Sequence, residues 1–173
     1  MDILEKNPGN GAIKSVAAAY GDDVVATILQ TAKKVSNHKL SPYDVFKLLK
    51  LDDAASKPLN SPALDVWTSY LTLFNYVNPG KETTMIKTFT KAYGDEALAK
   101  MLLSAKEVAA TEYLAKNLQL AQFTRWMRRK GQNPDKVYIN VFKLDPKLKT
   151  IPELHMSILN QYHRFYQLHL RKN

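Results

Sequence analysis

Ser61–Gly131 reads SPALDVWTSYLTLFNYVNPGKETTMIKTFTKAYGDEALAKMLLSAKEVAATEYLAKNLQLAQFTRWMRRKG, and its spacing decides the fold. Leu64, Trp67, Leu71, Phe74 and Val77 recur at steps of three or four, the signature of one helix face. Asn78-Pro79-Gly80 ends that helix, because neither Pro nor Gly continues one cheaply. Met85, Ile86, Phe89 and Tyr93 form a second amphipathic run that stops at Gly94. Asp95 is suited to cap a third, which carries Leu98, Met101, Leu102 and Ala105. A fourth, from about Thr111, carries Leu114, Leu118, Ala121, Phe123 and Trp126. Four helices with short polar joints predict a bundle.

The chain has 173 residues, enough for one domain or two small ones with a real core. Without cysteine there is no disulfide framework and no sulfur-based metal site. No apolar run approaches the ~20 residues that span a bilayer. Met1–Glu5 has neither a basic start nor an apolar stretch, so the chain is expected to be cytosolic or a mature portion without its leader. The net charge of +9 is uneven, since residues 125–173 hold eleven Lys/Arg against Asp135, Asp145 and Glu153. Such a basic end suits an acidic protein surface, nucleic acid or an anionic membrane, although a solvated helix face is the more usual origin of such a charge run.

Going outward from Ser61–Gly131, parts of it recur. Asn7-Pro8-Gly9 matches Asn78-Pro79-Gly80, and Ala19-Tyr20-Gly21-Asp22 matches Ala92-Tyr93-Gly94-Asp95. Ala32-Lys33-Lys34-Val35 matches Ala105-Lys106-Glu107-Val108, and Val45–Asp52 (VFKLLKLD) matches Val137–Asp145. The helix within Thr111–Gly131 has no counterpart in the first copy. From Pro152 a third copy begins, with Ser157 or Ile158 at the tryptophan position. The expected order is a partial unit (1–52), a full unit (53–145) and a basic tail helix (146–173), stacked as repeats that share a core and form a semi-rigid rod. The apolar Pro42–Leu51 helix is expected to fill a seam, and the Asp52–Asn60 joint to be where bending occurs.

Catalytic signatures are missing: there is no G-x-S-x-G, H-E-x-x-H or phosphate-cradling glycine loop. His155, His163 and His169 are eight and six residues apart, which is not the i, i+4 spacing of a helical metal site. Neither a cofactor nor a metal is expected. Tyr162, Phe165, Tyr166, Leu168 and Leu170 read as a packing stripe. Arg125, Arg128, Arg129 and Lys130 around Trp126 could meet phosphates in a salt-sensitive way, but Trp126 lies on an apolar face. The remaining class is a protein-binding adaptor. Its candidate contacts are Tyr162, His163, Arg164, Phe165, Tyr166 and His169 of the tail, together with Arg125, Arg128 and Arg129, because aromatic and Arg side chains anchor interfaces. The competing reading has the tail helix covering the last apolar face.

Trp67 in its SPxxxxW helix, the YGDExLAKxL run at Tyr93, the helix from Ala115 to Trp126 and the VFKLLKLD closure resemble the W, Y and L motifs of Phytophthora-type RXLR effectors, over nearly residues 6–145. The resemblance implies an all-α fold of tandem WY/LWY units in which Trp67 and Tyr93 pack together in the bundle core. Tyr20 would be the corresponding tyrosine of the partial unit, and Leu118 and Trp126 are further core positions. It also implies a monomeric, non-enzymatic protein, secreted by a pathogen and acting inside the host plant cell in the cytoplasm or at a membrane. Such proteins suppress immunity and can be recognised as avirulence factors, indirectly, by a plant immune receptor. The implied partner is a host plant protein: an exocyst subunit, since the layout with a basic tail is similar to members directed at one, or otherwise a phosphatase subunit, a kinase or an autophagy protein. No small-molecule substrate is implied. The alternative is a salt-sensitive binder of nucleic acid or anionic surfaces through the basic C-terminal third.

Overall fold

The structure is a computed structural model that describes residues 40–53, 57–129 and 133–170. Tyr20 and the rest of the partial unit's tyrosine motif lie outside these residues. Six α-helices make up the described chain: α1 (Pro42–Leu48), α2 (Ala63–Val77), α3 (Met85–Ala105), α4 (Ala109–Arg128), α5 (Pro134–Asn140) and α6 (Glu153–Leu170), with a 3-10 turn at Pro58–Asn60. The described residues contain no strand, so the fold is all-α. Two compact units divide the chain, Met1–Thr88 and Phe89–Asn173. These units differ from the expected partial unit (1–52), full unit (53–145) and tail helix (146–173), which were drawn from sequence recurrence.

In the first unit, Ser41 caps α1 with a reciprocal capping box: its Oγ accepts from the Asp44 N–H (3.3 Å), and its own N–H donates to Asp44 Oδ2 (3.0 Å). Pro42 follows at the first helical position, where its missing N–H costs nothing. Val45 and Phe46 point inward. The chain then turns at Lys50 (φ 53°), and the Leu51 N–H donates to the Phe46 carbonyl (3.0 Å), which returns Leu51 to the core. Leu48 does not share this burial and is 65% exposed. The α2 stripe of Leu64, Trp67 and Leu71 is buried as its spacing predicts, with Phe74 half-buried.

Trp67 is fully buried and meets Phe46 edge-on, with ring centroids 5.2 Å apart. Its indole N–H donates to the Pro42 carbonyl (2.7 Å), and the Tyr70 hydroxyl donates to the Leu40 carbonyl (2.7 Å). Two aromatic donors of α2 thus satisfy the backbone entering α1, and the edge-on pair adds roughly 0.5–1.5 kcal/mol beyond area burial. Burial, with the nearby Asp44 charge, pushes the Tyr70 hydroxyl up to about 12. After α2, the Asn75 amide brackets Thr83, donating to its carbonyl and accepting from its N–H (both 2.9 Å).

In the second unit, α3 is broken at Gly94 (φ 78°, ψ 167°), a backbone region open essentially to glycine alone. The core gathers Ala99 of α3, Phe123 and Trp126 of α4, Val137 of α5, Phe142, and Ile158, Leu159, Tyr162 and Phe165 of α6. Trp126 meets Tyr162 edge-on at 5.3 Å, and Phe123 lies 5.3 Å from Tyr162 and 5.7 Å from Phe165. Ile158, and not Ser157, takes the buried place at the degenerate tryptophan position.

Residues 133–144 repeat the local design of 41–51. Asn133 caps α5 by accepting from the Lys136 N–H (2.9 Å), and Pro134 stands at the first helical position. Lys143 adopts the left-handed region (φ 52°) as Lys50 does, and the Leu144 N–H donates to the Tyr138 carbonyl (3.3 Å). Each of these short helices packs on the helix that follows it, α1 on α2 and α5 on α6.

Candidate partner-binding surface

The tail helix is part of a core. Of the candidate contacts, Tyr162 is fully buried and Phe165 is 9% exposed, which corrects the reading of those two rings as a free interface. The cause is helical phase: Ile158, Tyr162 and Phe165 form the inward stripe, while His163 and Arg164 fall on the opposite side and are exposed. Tyr166 is half-buried. His169 is exposed, with its ring 4.0 Å from that of Phe165 and Nδ1 2.8 Å from the Phe165 carbonyl. Leu168 and Leu170 leave the expected packing stripe and are 62% and 48% exposed.

Among the α4 candidates, Arg128 is exposed, and Arg125 is half-buried with Nη1 enclosed and unpaired. Arg129 is held by Asp95, its Nη1 donating to Oδ2 (3.2 Å). The same carboxylate accepts the Trp126 indole N–H at Oδ1 (3.0 Å), and the Asp95 carbonyl accepts the Gln122 amide (2.8 Å). Asp95, expected only to cap a helix, therefore ties the Gly94 break to the last turns of α4. Trp126 is fully enclosed and unavailable for stacking on a base. Leu118 is buried as expected, while Tyr93 is half-buried with its ring 5.9 Å from Phe89.

Polar groups whose pairing the sequence did not indicate hold α6 in place. Lys106 donates to Gln119 Oε1 (2.8 Å) and to Gln161 Oε1, and burial lowers its amine below the ordinary lysine range. His155 Nε2 lies 3.1 Å from Glu96 Oε1, which also accepts from Lys100 (2.7 Å). Hydrogen bonds from Lys100 and then His155 hold the Glu96 carboxyl below its ordinary value. The only sequence trace of this set is the recurrence of Gly-Asp and Ala-Lys in the two copies.

The Gly94 break, the end of α4 and the turn after α5 enclose an open cleft of about 500 Å³. Tyr93 and Val141 supply apolar wall, Asn140 an amide, and Lys100, Arg129 and Lys143 positive charge. Among the described residues no group of three metal-ligating side chains comes together, and no helix is long and apolar enough to cross a membrane.

No family profile matches the chain. It is 30% identical over 174 residues to the RxLR effector protein PSR2 of Phytophthora sojae, a match covering 88% of this chain and 26% of that protein. It is 31% identical to the PSR2 of Phytophthora infestans over 159 residues, covering 83% of this chain and 21% of that one. The chain thus spans about a quarter of the length of the curated relatives it matches. The crystal structure of PcRxLR12 superposes with a TM-score of 0.73 at 33% identity, over 92% of this chain and 38% of that one. In sequence and in fold the chain is similar to the RxLR effector proteins of Phytophthora.

Proposed function

We propose that this chain is an effector, or part of one, that is secreted by the pathogen, enters plant cells and binds a host protein to suppress immunity. The observation that carries this reading is likeness to RxLR effectors over most of the chain, in both sequence and fold. The reading is non-enzymatic. The described residues offer helix packing and charged surface, so the mechanism is occupancy: the chain covers a host surface and competes with its partners or holds one of its states. An exocyst subunit is the first host class to test, followed by a phosphatase subunit, a kinase and an autophagy protein. Recognition as an avirulence factor would follow from an immune receptor guarding that host protein.

The test is expression of the chain inside plant leaf cells, followed by the oxidative burst after a bacterial elicitor and by co-purification of the named host classes. A reduced burst with one class recovered in stoichiometric amount supports the reading. An unchanged burst from a folded, accumulating protein refutes it.

A further inference from the structure

We propose that the cleft beside the Gly94 break seats an acidic segment of the partner protein, with Lys143 as its anchoring cation. This rests on the host-protein reading above and names the chemistry it would use. The cleft has about 500 Å³, within the usual range of ligand sites, and lies wholly in the second unit. Its own acids are already matched. Asp95 accepts from Trp126 and Arg129, and Glu96 accepts from Lys100 and lies within hydrogen-bond distance of His155. Lys143 is exposed and makes no described ion pair or side-chain hydrogen bond, so the unmatched charge on the wall is positive.

The backbone adds a second observation. Position 143 sits in the left-handed region (φ 52°), where glycine or asparagine is at ease and lysine is uncommon. Lys50 takes the same conformation at the matching turn of the first unit, so the turn itself favours it, and at position 143 the residue lines the cleft. An entering carboxylate would meet Lys143 and could share the half-exposed Arg129, while the aliphatic part of its segment rests on Tyr93 and Val141. Exposed Lys147 and Lys149 of the same unit would raise the encounter rate of an acidic partner.

The experiment uses the full chain and measures fluorescence anisotropy of a fluorescein-labelled peptide of alternating glutamate and leucine, beside its lysine counterpart and a labelled oligouridine. Lys143→Asn removes the charge while suiting the left-handed backbone, and Lys136→Asn removes an exposed charge of α5 outside the cleft. Saturable binding of the acidic peptide, weakened about tenfold or more by Lys143→Asn and unchanged by Lys136→Asn, is the expected result. No saturable binding, equal weakening by both variants, or preference for the oligouridine overturns it. Co-purification of the host protein is run in parallel with parent and Lys143→Asn. Equal recovery by both removes this site and leaves the host-protein reading standing. No recovery by the parent removes the reading itself, and the site with it.

Discussion

Asp95 offers the sharpest test of how the second unit is held. Its carboxylate accepts the indole N–H of the fully buried Trp126 (3.0 Å) and pairs with Arg129 (3.2 Å). Asp95→Ala leaves a buried donor unsatisfied, at about 1–3 kcal/mol. The Arg129 pair adds little, because the guanidinium side chain is 46% exposed and solvent screens it, so about 0–1 kcal/mol is assigned. Asp95→Ala is therefore expected to cost about 1–4 kcal/mol. Asp95→Asn keeps an oxygen for the indole, loses only the ion pair, and should cost about 1 kcal/mol or less. Trp126→Phe removes the donor, so adding Asp95→Ala to it should cost about 1 kcal/mol or more less than in the parent. Urea unfolding followed by far-ultraviolet circular dichroism measures all four proteins. Equal losses for Asp95→Ala and Asp95→Asn, or strict additivity with Trp126→Phe, would refute the claim that the indole hydrogen bond is what matters.

Trp67→Ala empties the space beside Phe46 and frees the Pro42 carbonyl, and should lower stability by about 3–5 kcal/mol in the same assay. A variant that unfolds like the parent would show that Trp67 is not a core residue. Ile158→Ala should cost about 2–5 kcal/mol, because that side chain is fully buried among the second unit's aromatics. A neutral effect there would return the tail helix to the status of a separate arm. Glu96 is ionised more easily in the folded chain than its ordinary value of 4.5, so its stabilising effect is present above about pH 4.5 and is lost as pH falls through the lower folded value. Glu96→Gln should flatten the acid side of a stability–pH profile, and an unchanged profile would contradict that linkage.

Helix positions were legible because period and punctuation act locally. The steps from Leu64 to Leu71 and the Asn78-Pro79-Gly80 stop work within a turn or two of chain. The local likeness of residues 41–51 and 133–144 was legible for the same reason, although the left-handed conformation shared by Lys50 and Lys143 was not foreseen. The candidate surface was legible only in part. Tyr162, Phe165 and Tyr166 share one side of their helix, and composition does not say whether that side meets a core or a partner.

What the sequence determined by itself was the all-α class, most helix positions to within a few residues and the likeness to RxLR effectors that the comparisons also show. Tertiary structure alone decided that Tyr162 and Phe165 face Trp126 and Phe123 while His163 and Arg164 face solvent. It also decided that Asp95 joins residues 31 and 34 positions away and that Lys143 lines a cleft. The reason is range. Helical periodicity is set by backbone hydrogen bonds four residues apart, whereas the partner of a side chain across the core depends on how whole helices dock.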